Sequence, residues 1–391
     1  MIPMKTPLHS LALLATCLAA ALPAAHAAPP GLQPLLPGKC DTSGFAVGVS
    51  VAGNYAYVAD GSAGLQVIDV SNPANCVRVG GYDTAGSANG VAVSGNYAYV
   101  SDFDAGLQVI DVSHPTNCIR VGGYVPSRPA YGVAVSGNYA YLAAEGAGLQ
   151  VIDVSDPTNC VRVGGLANSW DAAGIAVSGK YAYVANNQVG LQIIDVSNPS
   201  NCVRVGGCFT GGYAAGVAVS GNYAYVANYD GEGLTVIDVS NPTNCVRVGG
   251  YAGFGYAYSV AVSGNYAYVT DEFDGLQVID VSNPTNCVRV GGIDTSGITY
   301  GVAVVAGRIY LADGSHGLLV LPTLPNVQFT VRVDAGTLGT PYTLEAATSL
   351  TPPIQWSPLW TTNPPALPFD YVDFDVKISE KPHKFYRVRQ P

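Results

Sequence analysis

The chain has 391 residues, of which 48% are hydrophobic and only 11% charged, against about 25% charged in an average soluble domain. That profile excludes a solvated disordered chain and a polar-faced helical bundle. With 17 Lys and Arg against 27 Asp and Glu the formal charge is −10, the wrong sign for a phosphate-binding surface, so nucleic acid is not an expected partner.

At the amino end, Met1 to Ala27 carries one basic residue, Lys5, an apolar run from Leu11 to Leu22 and a small-residue site at Ala25-His26-Ala27. This reads as a cleaved secretory signal, too short to span a bilayer. Lipid anchoring at Cys17 is the alternative, and Thr16 before it fits that pattern less well. The mature protein is therefore expected to be periplasmic, surface-bound or extracellular, with no transmembrane segment.

From residue 31 onward the sequence repeats. G-N-Y-A-Y-V starts at Gly53, Gly95, Gly221 and Gly264, with related strings at Gly137, Gly179 and Gly307, giving seven copies 42 or 43 residues apart. G-L-Q-V-I-D-V-S or a close variant follows each copy and decays to G-L-L-V-L-P at Gly317; N-C-V-R-V-G-G or its Ile variant follows in six. Within one unit, Val91 to Ser94 and Tyr97 to Val100 flank Gly95-Asn96, a two-residue hairpin signal. Leu65 to Ser71 and Cys76 to Gly80 flank Asn72-Pro73-Ala74-Asn75, a tight-turn signal. Four antiparallel strands, A to D, in about 42 residues match one propeller blade per repeat. Alternation along strand B sets Tyr97 and Tyr99 on one face and Ala98 and Val100 on the other, so a bulky face can meet the small face of the next blade. A stacked solenoid is the rival, but it would need capping units at both ends.

The ends favour a ring. The last unit loses its pattern at Pro322, before its strand D, while Asp41-Thr42 aligns with Asp83-Thr84 and places Leu35 to Lys39 on a strand D position. The expected fold is all-β: a seven-bladed propeller of four-stranded blades over 31–322, closed by the amino-terminal strand. V-A-V-S-G-N-Y-A-Y-V followed by G-L-Q-V-I-D-V-S-N-P resembles the LVIVD repeat of exported bacterial and archaeal proteins. The resemblance implies a propeller at or outside the cell surface, of the kind suspected of adhesion or interaction, and no catalytic residues. After Pro322, five strand-like segments between Gln328 and Gln390 suggest a small β-sandwich over 323–391.

The A–B and C–D turns hardly vary between units, whereas the B–C loops and D–A connections do; in a propeller these two variable sets emerge on one side, the candidate functional face. Recurring acids (Asp69 in the first unit) and arginines (Arg78) flank the C–D turn and read as ion pairs or turn caps. Nearly all other acids lie in the variable loops, where only Arg128 opposes them, which predicts a field favouring cations and basic partners. Residues just before each strand A should ring the channel mouth: Asn89, Tyr131, Tyr258 and Tyr300, with Trp170 and Tyr213 nearby. Asp102, Asp104, Asp271 and Asp274 are the candidate loop carboxylates, able to bind sugar or peptide alongside the aromatic faces. Calcium is weakly signalled at Asp230-Gly231-Glu232 and at Asp271 with Asp274, neither having the spacing of a calcium loop; no other cofactor is expected.

Six cysteines recur at the start of strand D, from Cys76 to Cys287. Equivalent outer positions of adjacent blades lie on the order of 15 Å apart, while a disulfide needs Cα atoms within about 7 Å. Cys40 and Cys208 fall on outer strands of different blades, so no disulfide is expected. The few histidines form no catalytic order with Ser or Asp. The expected function is that of an exported, monomeric, non-enzymatic protein binding a carbohydrate, peptide or protein on the acidic, aromatic loop face. A propeller lyase or hydrolase at the channel mouth, or a purely structural envelope protein, are the alternatives.

Overall fold

A computed structural model describes residues 38–167, 171–295 and 297–323, together with the backbone of five later strands. The expected secretory signal, Cys17 and Trp170 lie outside the described residues. The chain divides into two compact units, residues 35–323 and the remainder. Among the described residues the first unit holds seven four-stranded antiparallel sheets. Six are consecutive A-B-C-D units. The seventh takes strands Gly301–Val305, Arg308–Ala312 and Leu318–Pro322 from the end of the ring and its outer strand, Gly38–Cys40, from the start, with Gly38 opposite Val320. The closing strand thus begins at Gly38 among described residues, and Leu35 to Pro37 of the expected segment fall outside them. No described helix is long and apolar enough to cross a membrane.

The core sits between blades. Tyr57, Leu65 and Val67 of blade one pack on Ala98, Val100 and Ile110 of blade two, and Tyr99, Leu107 and Val109 of blade two repeat the arrangement against Ala140, Leu142 and Ile152 of blade three. The small residues of strand B thus make room for the tyrosine face of the preceding blade, and the strand periodicity alone sorts the two sets. In six of the A–B hairpins only Gly enters the left-handed region, as at Gly95 (φ 57°), while the Asn after it, or Lys180 in the fourth blade, stays out of it; the seventh uses both turn residues, Ala306 (φ 51°) and Gly307 (φ 74°).

The recurring Gly-Gly of strand D has an inter-blade cause. A Cβ on Gly122 would lie 2.0 Å from the Pro157 carbonyl oxygen of the next blade's C–D turn, and Gly80, Gly164 and Gly249 meet Pro115, Pro199 and Pro284 in the same way. Backbone rests directly on backbone at these boundaries. The recurring Asp and Arg do not pair with each other among the described residues. Asp69 and its five equivalents accept the backbone N–H two residues on, each at 2.9 Å, capping the C–D turn. Arg120 and Arg289 instead donate to Gln108 and Gln277. The reason is register: Arg120 stands opposite Ile110 and Asp111 opposite Ile119, so the two side chains occupy opposite faces of the blade.

In the second unit Phe329–Val333 pairs with Phe369–Asp373, and Tyr342–Ala347 lies between Ser357–Thr362 and Phe385–Arg389, giving a two-stranded and a three-stranded antiparallel sheet.

Candidate functional site

The B–C loops and D–A connections meet at one end of the ring, and they are held together by carboxylates. Asp102 accepts the Thr84 hydroxyl at 2.7 Å and the Gly86 N–H at 3.0 Å; Asp60 does the same with Thr42 and Gly44. Asp313 accepts from Thr299, and Asp271 from the backbone of Tyr256, Phe273 and Asp274. All four are buried, Asp60 and Asp102 completely. Burial pushes the Asp60 and Asp102 carboxyls up from the ordinary aspartate range, against the lowering effect of their donors. Asp102 and Asp271 therefore pin loops and offer no free carboxylate to a ligand. Asp104 and Asp274 remain exposed on the loops.

A cavity of about 920 Å³ opens at the channel mouth. Asn89, Tyr131, Tyr213, Tyr258 and Tyr300 line it, joined by Phe45 and Tyr229. Two of these tyrosines owe their aim to β-bulges: pairing skips from Ala130 to Gly132 and from Ala257 to Ser259, leaving Tyr131 and Tyr258 as the extra residues. A bulge frees a side chain from the alternation of its strand and turns it here toward the axis. Neighbouring blades fix the backbone at the ring as well. The Ser101 hydroxyl donates to the Tyr131 carbonyl and the Thr270 hydroxyl to the Tyr300 carbonyl, each at 2.7 Å across a blade boundary.

The mouth has two different sides. Phe45, Tyr300, Tyr258 and Tyr229 form a continuous aromatic arc with centroid spacings of 5.5, 4.5 and 4.9 Å, and Tyr229 donates to Glu272 at 3.0 Å. Across the channel, in the third and fourth blades, the lining carries the carboxylates of Glu145 and Asp171. Burial raises the Tyr131 hydroxyl, and Glu145 and Asp171 beside it raise it further. Tyr131 stacks edge-on with Phe103 at 5.5 Å, and Phe103 holds a left-handed backbone (φ 45°) where the first and seventh blades use Gly61 and Gly314. A bulky residue at positive φ is strained backbone, of a kind that clusters at ligand sites. Among the described lining residues there is no Lys, Arg or His.

Glu145 and Asp171 were visible in the sequence only as two loop acids among many. Nothing in composition distinguishes an acid that reaches the axis from one that turns inward. The weak calcium candidates are not brought together: Glu232 forms an ion pair with Arg247 at 2.8 Å, and Asp271 is engaged by backbone. Among the described residues no three His, Cys, Asp or Glu side chains cluster as a metal site would require.

A family model described as the LVIVD repeat matches residues 43–84, 85–125, 127–166, 170–210, 211–252 and 254–295. No curated protein matches the chain. Among solved structures it is similar to U3-55K (TM-score 0.60, 11% identity, 72% of this chain and 96% of that one). It is also similar to the RRP9 WD40 repeats (0.58, 12%, 73% and 98%) and to BamB from Moraxella catarrhalis (0.51, 14%, 71% and 82%). At such identities the likeness concerns the propeller fold.

Proposed function

The chain belongs to the LVIVD repeat family, and from that premise we propose that it is an exported, non-enzymatic interaction protein that seats a carbohydrate, peptide or protein ligand in the channel mouth. The observation that carries this reading is the mouth itself: a cavity of about 920 Å³ with an aromatic arc on one side and two carboxylates on the other. Its volume falls in the range of small-ligand pockets. Aromatic faces offer platforms for sugar rings and for cationic side chains, and carboxylates accept hydrogen bonds from hydroxyls or ammonium groups. Without a described basic residue in the lining, an anionic ligand would meet no countercharge, so a polypeptide inserting Lys or Arg suits the site best.

The test compares wild type with Tyr131→Ala combined with Glu145→Gln and Asp171→Asn, by calorimetric titration against Lys- and Arg-containing peptides and by a glycan array. The expected result is saturable binding that weakens at least tenfold in the variant and falls with salt. Equal binding by both proteins would remove the mouth as the site. Turnover of any bound glycan or peptide by the purified protein would overturn the non-enzymatic reading.

A further inference from the structure

The start of six of the seven strands D carries a cysteine, packed at the boundary with the preceding blade. In four of these boundaries it meets the side of a Tyr or Leu: Cys118 is packed in one cluster with Tyr82, Cys160 with Tyr124, Cys202 with Leu166 and Cys287 with Tyr251. At the two remaining boundaries the facing residue is itself cysteine. Cys40 ends the closing strand of blade seven and packs in one cluster with Cys76 of blade one; Cys208 of blade four packs in one cluster with Cys245 of blade five.

The geometry of the first pair is close. A Cβ on Gly38 would lie 2.7 Å from the Cys76 sulfur, and Gly38 is two residues before Cys40 on the same face of its strand. The Cys76 sulfur thus sits beside the strand that carries Cys40, within about two residue rises, or roughly 7 Å, of the Cys40 position. The second pair repeats this frame: Gly206, two residues before Cys208, rests on the Pro242 carbonyl as Gly38 rests on that of Pro73. All four are free thiols in this structure.

We propose that Cys40 with Cys76 and Cys208 with Cys245 are two inter-blade oxidation sites, each closing to a disulfide by exchange with a small or protein disulfide. In the balanced step two S–H bonds break and one S–S bond forms, while the incoming disulfide takes up the two electrons and two protons and leaves as two thiols. The first bridge would staple the seam of the ring, where blade seven depends on a three-residue strand. Equivalent cysteines of adjacent blades remain too far apart to pair; it is the non-equivalent positions, strand D end against the next strand D start, that meet.

Occupancy in the cell rests on the export reading, since an oxidising compartment supplies the disulfide; the pairing itself does not. The experiment treats purified protein with glutathione disulfide, alkylates it under denaturing non-reducing conditions and maps peptides by mass. Of the eight cysteines from Cys40 onward, four are expected to react and four to appear as the linked peptides 40–76 and 208–245. Cys40→Ser should free Cys76, so that five thiols react. Eight reactive thiols after oxidant, or bridges joining other cysteines, overturn the proposal. Bridges formed in vitro but absent from protein isolated directly from its source would uphold the pairing and count against export.

Discussion

Asp102 and Asp104 sit two residues apart in the same loop and have opposite roles. Asp102 is fully buried and satisfies a hydroxyl and a backbone N–H of the adjoining connection, whereas Asp104 is exposed. Asp102→Ala is expected to cost about 2–4 kcal/mol, because it strands the buried Thr84 hydroxyl and the half-buried Gly86 N–H, while Asp104→Ala should stay within about 0.5 kcal/mol. Urea denaturation of the two variants checks the contrast. The sequence did hold a signal: Asp60, Asp102, Asp271 and Asp313 occupy one fixed place at the end of strand B, where the other blades have Ala144, Asn186 and Asn228. Alternation of Asp with Asn marks a hydrogen-bonding position. A count of loop acids hides it, which is why two of the four predicted ligand carboxylates turned out to be internal pins.

At the scale of strands and turns, the repeat made every blade legible, because hairpin chemistry and two-residue alternation are local. What was not legible depends on the neighbouring blade. Gly122 and Gly137 look alike in sequence, yet only the first has a carbonyl oxygen against its missing side chain. Gly122→Ala should therefore destabilise by about 2–3 kcal/mol through overpacking, and Gly137→Ala by roughly 1–2 kcal/mol through its left-handed backbone alone. The turn caps make a pH prediction. Hydrogen bonds from the serine two residues on lower Asp69, Asp111, Asp153, Asp195 and Asp238 below the ordinary aspartate value. Their contribution is complete above the unfolded value and is lost as pH falls through the depressed folded values. Asp60 and Asp102, raised by burial, act in the opposite sense: they cost stability as pH rises from the ordinary aspartate value through their folded ones. Melting temperature should thus fall with acid below about pH 4, and a variant with all five caps changed to Asn should show a smaller fall, since Asn keeps the turn but does not titrate.

For the whole molecule, the ring depends on a short strand supplied from the other end of the propeller. A chain beginning at Asp41 lacks that strand and leaves Leu318–Pro322 as an unpaired, apolar edge. It is expected to melt on the order of 5 °C lower and to form soluble oligomers by edge pairing, visible in size-exclusion chromatography. The same dependence sets the order of events during synthesis. Gly38 pairs with Val320, roughly 280 residues later, so at about 5–20 residues per second the first strand made waits on the order of 15–60 s for its partner. Six blades can assemble in sequence behind it, each resting on the one before, but the seam closes last. Until then the exposed flank of blade one is the nascent chain's point of vulnerability, and a chaperone or protease meeting the unfinished protein would find it there.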